Sequence, residues 1–282
     1  AHAAATNGPE RAAGTDSGPA GRHPGRVAWT DRHRTLAAVA RYKATHDTAP
    51  RVAISTAARQ DMGLRTEQAL RYYAMKRDVA RGAGIAPAAT SRILSGTQQP
   101  QLTAYWCGPA AVAGALAARH VGVSQSGAAD LLRTTVYGTA WSGVDAAVPG
   151  SFQTGYPVAD VLTYKLHDQG ATYHPAWLSY SPTRAEMRTY RARLVTDIDG
   201  GWDLVGNAWE VPGGPHLVGH PGNQEVFHFF TVRGYTDSGA NTQYQDSVHG
   251  AGSVSWASGV PAYSTISSDT LTVINGGRGY VW

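Results

Sequence analysis

The chain has 282 residues and a formal charge of +4, with 24 basic against 20 acidic side chains. That length allows one large core or two small ones, and no run of about 18 apolar residues is present to span a bilayer. A single cysteine rules out an internal disulfide, so bridges say nothing of the redox compartment.

The chain opens AHAAATNGPE, and Ala1-His2-Ala3 fits the edge of a signal-peptidase site. The expectation is therefore a secreted chain whose signal has been removed. Residues 1–26 are rich in Gly, Ala, Pro and charge and lack Phe, Tyr and Trp, the composition of a disordered tail. From 27 to 93 the pattern turns helical and predicts an N-terminal helical extension or pro-region. TDRHRTLAAVARYKATH opens on Thr30 or Asp31 as N-cap and repeats Leu36, Val39 and Ala40 at helical spacing. A second helix over TEQALRYYAMKRDVARG takes Thr66 as N-cap, carries Glu67 and Gln68 in its first turn and ends at Gly82.

Charge is uneven along the chain. Residues 1–96 carry 15 basic and seven acidic side chains, and the remainder nine and thirteen. Such asymmetry suits an acidic partner, or a basic segment docked on its own acidic domain. No aromatic-interleaved basic motif or zinc-finger spacing accompanies it, so nucleic acid is not an expected partner.

Residues 94–282 read as α+β, helices first and antiparallel strands afterwards. AAVAGALAARHVG is apolar nearly all round, as a central buried helix is. YPVADVLTYKLHDQG and SPTRAEMRTYRARL predict two more helices, the latter with Ser181 or Thr183 capping ahead of Glu186. Beyond Gly201, strands are predicted at PHLVGH, EVFHFFTVRGY, TQYQDS and TLTVIN, separated by turn residues.

The stretch QLTAYWCGPAAV holds the lone Cys107. Gly108, Pro109 and the apolar helix follow it, and proline is tolerated in a helix's first turn. The thiol therefore falls at a helix N-terminus, where free N–H groups and the macrodipole favour a thiolate. Gly108 is expected to leave room for a substrate carbonyl. The alternative is an inert cysteine packed in the core, and the helix-start position beside Tyr105-Trp106 favours a nucleophile.

YWCGPAA resembles the nucleophile motif of the C39-like branch of papain-fold cysteine peptidases, and the resemblance covers roughly residues 94–282. It implies a papain-like fold. It also implies an oxyanion-hole glutamine six residues before the cysteine, which is Gln101, a histidine on a buried strand, and an acidic or amide residue after the next turn. FHFFTVRGYTD supplies His228 and TQYQDSVHG supplies Asp246. The residue chemistry agrees. A thiol nucleophile needs a base that later delivers the proton to a leaving amine, and histidine suits both duties. His228 shares a strand face with Val226, Phe230 and Val232. Asp246 follows a hairpin and is placed to hold the ring's tautomer, whereas Asp237 in that turn reads as turn chemistry. His249 and His220 are the next candidates for the base.

Other motifs carry less. His216 and His220 share HxxxH spacing, but Gly-Gly-Pro and Pro-Gly flank them, so no helix aligns them for zinc. DIDGGWD (Asp197, Asp199, Asp203) lacks the spacing and closing Glu of a calcium loop and reads as a turn. No GxSxG is present. The expected protein is a monomeric thiol hydrolase acting on peptide or isopeptide bonds through Cys107, His228, Asp246 and Gln101, without cofactor or metal. The same residues would serve an acyltransferase or transpeptidase, and a non-catalytic binding or inhibitory module on this fold is the other alternative. The loops TTVYGTAWSGVDAAVPGSFQTGYP and NAWEVPGGPHLVGHPGN are expected to shape the specificity pocket.

Overall fold

A computed structural model describes the backbone of residues 24–84 and 90–282, with side chains from residue 34 onward. The tail expected at 1–26 lies outside the described residues up to 23. Pro24, Gly25 and Arg26 already belong to the first helix, α1 (Pro24–His46), which also takes in Thr30 and Asp31. The second, α2 (Thr56–Gly82), is longer than expected. Its N-cap is Ser55, whose Oγ accepts the Ala58 N–H, because the Ala, Arg, Gln and Met residues upstream of Thr66 favour helix. Thr66 sits in mid-helix, its hydroxyl turned back onto the Met62 carbonyl and accepting from Arg193.

Five further helices follow: α3 (Cys107–Ala118), α4 (Gln125–Leu132), α5 (Pro157–Leu166), α6 (Arg184–Gly200) and α7 (Ser268–Ile274). Thr183 and Glu186 close a full capping box at the start of α6. The strands are β1 (Arg92–Ile93), β2 (Pro175–Trp177), β3 (Leu204–Glu210), β4 (Val226–Thr236), β5 (Asn241–Gln245), β6 (Tyr263–Ser267) and β7 (Gly279–Val281). They form one antiparallel sheet in the order β2-β7-β3-β4-β5-β6, with β1 paired to the far end of β4.

The class is α+β, compatible with a C39-like papain-type fold. Alternation along the central strands gives two cores. Val205, Phe229 and Val281 face α3, α4 and α5, while Leu204, Ala208, Phe230, Val232 and Tyr280 join side chains of α2, α6 and α7. On the first side Gly114 lets α3 lie close to the sheet, since a Cβ there would come within 2.6 Å of Gln245 Nε2. Two expected strands are absent. PHLVGH forms a turn, and TLTVIN lies largely within α7. Short β-branched runs are ambiguous by pattern alone, and here a distant residue favours the helix. Lys43 of α1 donates to the Val273 and Ile274 carbonyls at the end of α7, at 3.0 and 2.9 Å.

The charge asymmetry is not what holds the N-terminal helices down. Among the described residues Lys76–Asp199 pairs in the expected sense, but Asp47–Arg278 and Asp61–His174 run the other way. Apolar contacts do more: Ala69 and Tyr73 enter one core, Ala49, Val52 and Ile54 lie against the other, and Val39 packs on Trp209 and Val211. Among the described residues no helix is long and apolar enough to cross a membrane.

Candidate active site

Cys107 is the first residue of α3. Trp106 precedes it and supplies no side-chain cap to the first turn. β5 pairs with β4 only from Thr231 onward. The start of α3 lies along the unpaired stretch, with Thr231 Oγ1 donating to the Ala111 carbonyl at 3.0 Å. The sulfur there faces the His228 ring and the N–H groups of Gly108 and Phe229. Burial would push the thiol up, but the His228 ring and its charge, with those two N–H groups, outweigh it and lower its proton affinity. Gly108 does not open space for a substrate. A Cβ there would overlap the Thr139 side chain, so the glycine accommodates close packing instead.

His228 lies on β4, opposite Ala208 of β3, and is buried. Its Nε2 donates to Asp246 Oδ1 at 3.0 Å, which leaves Nδ1 as the nitrogen for the sulfur. Burial disfavours the imidazolium, yet Asp246 and Cys107 together hold His228 well above an ordinary histidine. Asp246 follows β5 directly and accepts three hydrogen bonds. His228 and the Val248 N–H share Oδ1, and His220 Nε2 reaches Oδ2 at 2.9 Å. Burial alone would raise its carboxyl; the two imidazoles hold it far below the carboxylate range.

Gln101 is buried beside them. Its backbone N–H donates to the Ser247 carbonyl at 2.8 Å, its Oε1 accepts from Ser247 Oγ at 3.0 Å, and its Nε2 donates to the Thr103 carbonyl at 2.9 Å. That nitrogen carries a second hydrogen, and Gln101 lines a cavity with Cys107 and His228. Of the two other glutamines upstream, Gln99 is exposed and Gln98 donates its Nε2 to the Asp246 and His249 carbonyls at 2.8 and 3.0 Å. The structure thus brings Cys107, His228, Asp246 and Gln101 together, while His249 is turned onto the Val260 carbonyl.

Sequence reasoning missed the group behind Asp246. His220 and Glu210 have fully buried side chains, with His220 Nδ1 2.9 Å from Glu210 Oε2. The other Glu210 oxygen accepts the Leu217 N–H at 2.7 Å. The sequence offers His220 as half of an HxxxH pair and as a reserve candidate for the base, not as a partner of Asp246, and His216 turns away to the Gly214 and Gln224 carbonyls. Among the described residues His220, His228 and Asp246 are the one group with metal-ligand spacing. Their facing atoms are engaged with each other by hydrogen bonds, and the hydrogen-bonded chain Glu210–His220–Asp246–His228 ends beside Cys107. DIDGGWD ends α6 in a turn with Gly201 at φ 83°, and Asp199 takes Tyr72, Lys76 and Tyr235.

Two cavities meet at Cys107, Phe227 and His228. One, of about 330 Å³, is walled by Tyr137, Trp141, Arg278 and by Thr48, Ala49 and Pro50 of the α1–α2 connector. The other, of about 240 Å³, is walled by Gln101, Ala104, Val248 and Trp256. The first expected specificity loop contributes Tyr137 to Ser142. From the second, Asn207 alone reaches the first cavity; its later half carries His220 instead.

No curated protein matches the chain. The family model for the Peptidase C39-like family matches residues 93–264. That match starts beyond α2, spans more than half of the chain and takes in Gln101, Cys107, Glu210, His220, His228 and Asp246, so the chain belongs to the Peptidase C39-like family.

Proposed function

We propose that the protein is a cysteine peptidase in which Cys107 is the nucleophile, His228 the acid and base, Asp246 the residue that orients His228, and Gln101 with the Cys107 N–H the oxyanion hole. The observation that carries this reading is a thiol at a helix N-terminus beside an imidazole whose Nε2 is fixed on a buried carboxylate. The thiolate attacks a peptide or isopeptide carbonyl carbon, and the carbonyl electrons move to oxygen. The oxyanion is met by Gln101 Nε2–H and the Cys107 N–H. The C–N bond then breaks as the imidazolium of His228 gives its proton to the leaving amine. An acyl thioester stays on the sulfur. Water, losing a proton to His228, cleaves the C–S bond and releases the carboxylic acid and the thiol. The two cavities on either side of Cys107 would take the substrate on the two sides of the scissile bond, and their walls mix aromatic rings such as Tyr137, Trp141 and Trp256 with polar groups such as Asn207, Arg278 and Ser255.

The test needs no known substrate at first. Haloacetamide alkylation of Cys107 is followed against pH in the wild type and in His228→Ala. The wild type should alkylate readily below pH 7, where a thiol of ordinary pKa, about 8.5, is protonated, and the variant should not. A wild-type profile indistinguishable from a free thiol sinks the mechanism. Peptide libraries then identify the cleaved bond, with Cys107→Ser expected to fold and to lack measurable turnover. A product joined to an added amine, rather than to water, identifies acyl transfer.

A further inference from the structure

The geometry points to His220, backed by Glu210, as a positioning residue for Asp246: it fixes the second carboxylate oxygen and offsets the charge that His228 feels. This inference rests on the Cys107–His228 reading above and deepens it.

Asp246 is an acceptor only, so both imidazoles that touch it must present N–H at Nε2. His220 meets a second carboxylate at Nδ1, where Glu210 already accepts the Leu217 N–H on its other oxygen. An imidazolium at His220 satisfies both contacts. Burial opposes that charge, and the bonds to Asp246 and Glu210 outweigh it, so His220 is raised above an ordinary histidine. The position is built, not incidental. Gly219 turns the chain at φ 83°, and a Cβ there would overlap the Gly259 carbonyl. Val218 N–H is held by Tyr244 Oη at 2.9 Å, and Trp256 covers the His220 ring edge-on with centroids 4.6 Å apart. The groups that bear on the position are Glu210 from β3, His228 from β4, Tyr244 and Asp246 from β5 and its end, and Lys43 of α1 through Glu210.

The chemical consequence concerns proton delivery. Bare Asp246 would bind the His228 proton so strongly that transfer to a leaving amine is slowed. A positive His220, its ring centroid 5.2 Å from that of His228, weakens that hold without moving the carboxylate.

Glu210→Gln isolates the effect at nearly constant shape. The oxygen of the introduced amide keeps the Leu217 N–H, the amide NH₂ faces His220 Nδ1, and His220 becomes the neutral Nε2–H tautomer. The alkaline limb of kcat/KM and of Cys107 alkylation should then rise by about half a unit to one unit. A unit charge at this separation acts by roughly that much, with the lost Glu210 charge offsetting part of it. kcat at neutral pH should fall severalfold with KM unchanged. Histidine ¹⁵N spectra of the wild type, which need no variant to fold, should show both His220 nitrogens protonated at pH 7, and the variant only one. A neutral His220 in the wild type, or a folded Glu210→Gln variant with an unmoved alkaline limb, overturns the proposal. A wild-type thiol that titrates like a free cysteine overturns the underlying mechanism instead, so the two failures are distinct.

Discussion

At Gln101 the amide oxygen is held by Ser247 and one N–H by the Thr103 carbonyl, leaving one hydrogen for the cavity shared with Cys107. An oxyanion donor acts on the tetrahedral intermediate and not on the resting thiolate. Gln101→Ala should therefore cost roughly 10²–10³ in kcat, about 2.7–4 kcal/mol. Alkylation by a haloacetamide builds no carbonyl oxyanion, so that rate should stay within a few-fold of wild type. Gln98 behaves differently from its neighbour. Its amide donates to the Asp246 and His249 carbonyls and clips the Asp246 segment in place. Gln98→Ala should cost about 1 kcal/mol in urea unfolding, while Gln99→Ala, exposed, changes neither stability nor turnover. If Gln99→Ala carries the turnover loss and Gln101→Ala does not, the donor has been misassigned.

The contact between α1 and α7 shows what one element requires of another far away in sequence. Lys43 is buried against the last carbonyls of α7, and burial first, then Arg278, lowers its ammonium to about 7, with Glu210 opposing. Between that value and the ordinary 10.5, the unfolded chain holds a proton the folded chain has released. Stability therefore rises with pH across this window, and below it Lys43 contributes no pH dependence. Lys43→Met lacks the titration, so the stability gap in favour of wild type should widen from pH 7 to 9, on the order of 1 kcal/mol per unit. A flat gap in urea unfolding at the two pH values refutes this. The same contact explains why α7 was not legible in TLTVIN: its helix end is completed by a residue more than two hundred positions away. β3 was missed because all its residues are buried, which erases the alternation a half-exposed strand shows. The start of α6 was legible because its capping box is local. Cys107 was legible from a local motif and Gln101 from a fixed offset, whereas Glu210 and His220 meet only through the fold of the β3–β4 loop and the turn at Gly219.

For the molecule as a whole, the question is whether the two N-terminal helices are a removable pro-region or part of the folded unit. Their connector answers to the same core as the thiol. Pro50 and Val52 carbonyls accept from Ser142 Oγ and Tyr156 Oη at 2.6 and 2.9 Å, and both of those donors are buried. Asp47 pairs with buried Arg278 at 2.6 Å, and Ala49 and Pro50 form part of the cleft wall beside Cys107. Deleting residues 1–90 would remove the carbonyl partners of Ser142 Oγ and Tyr156 Oη, each such hydrogen bond being worth about 1 kcal/mol. It would take the Asp47 carboxylate from Arg278, and would uncover the apolar faces under Tyr73, Val52 and Ile54, at about 25 cal/mol per Å² exposed. A typical domain has only about 5–15 kcal/mol in total. The chain 91–282 should accordingly lack a cooperative thermal transition and bind an apolar dye, and no activity should be recovered from it. A pro-region behaves oppositely: its removal leaves a folded enzyme with a more open cleft. If 91–282 melts cooperatively and turns over small substrates faster than the full chain, the helices are a detachable lid and the cleft wall at Pro50 is an inhibitory contact.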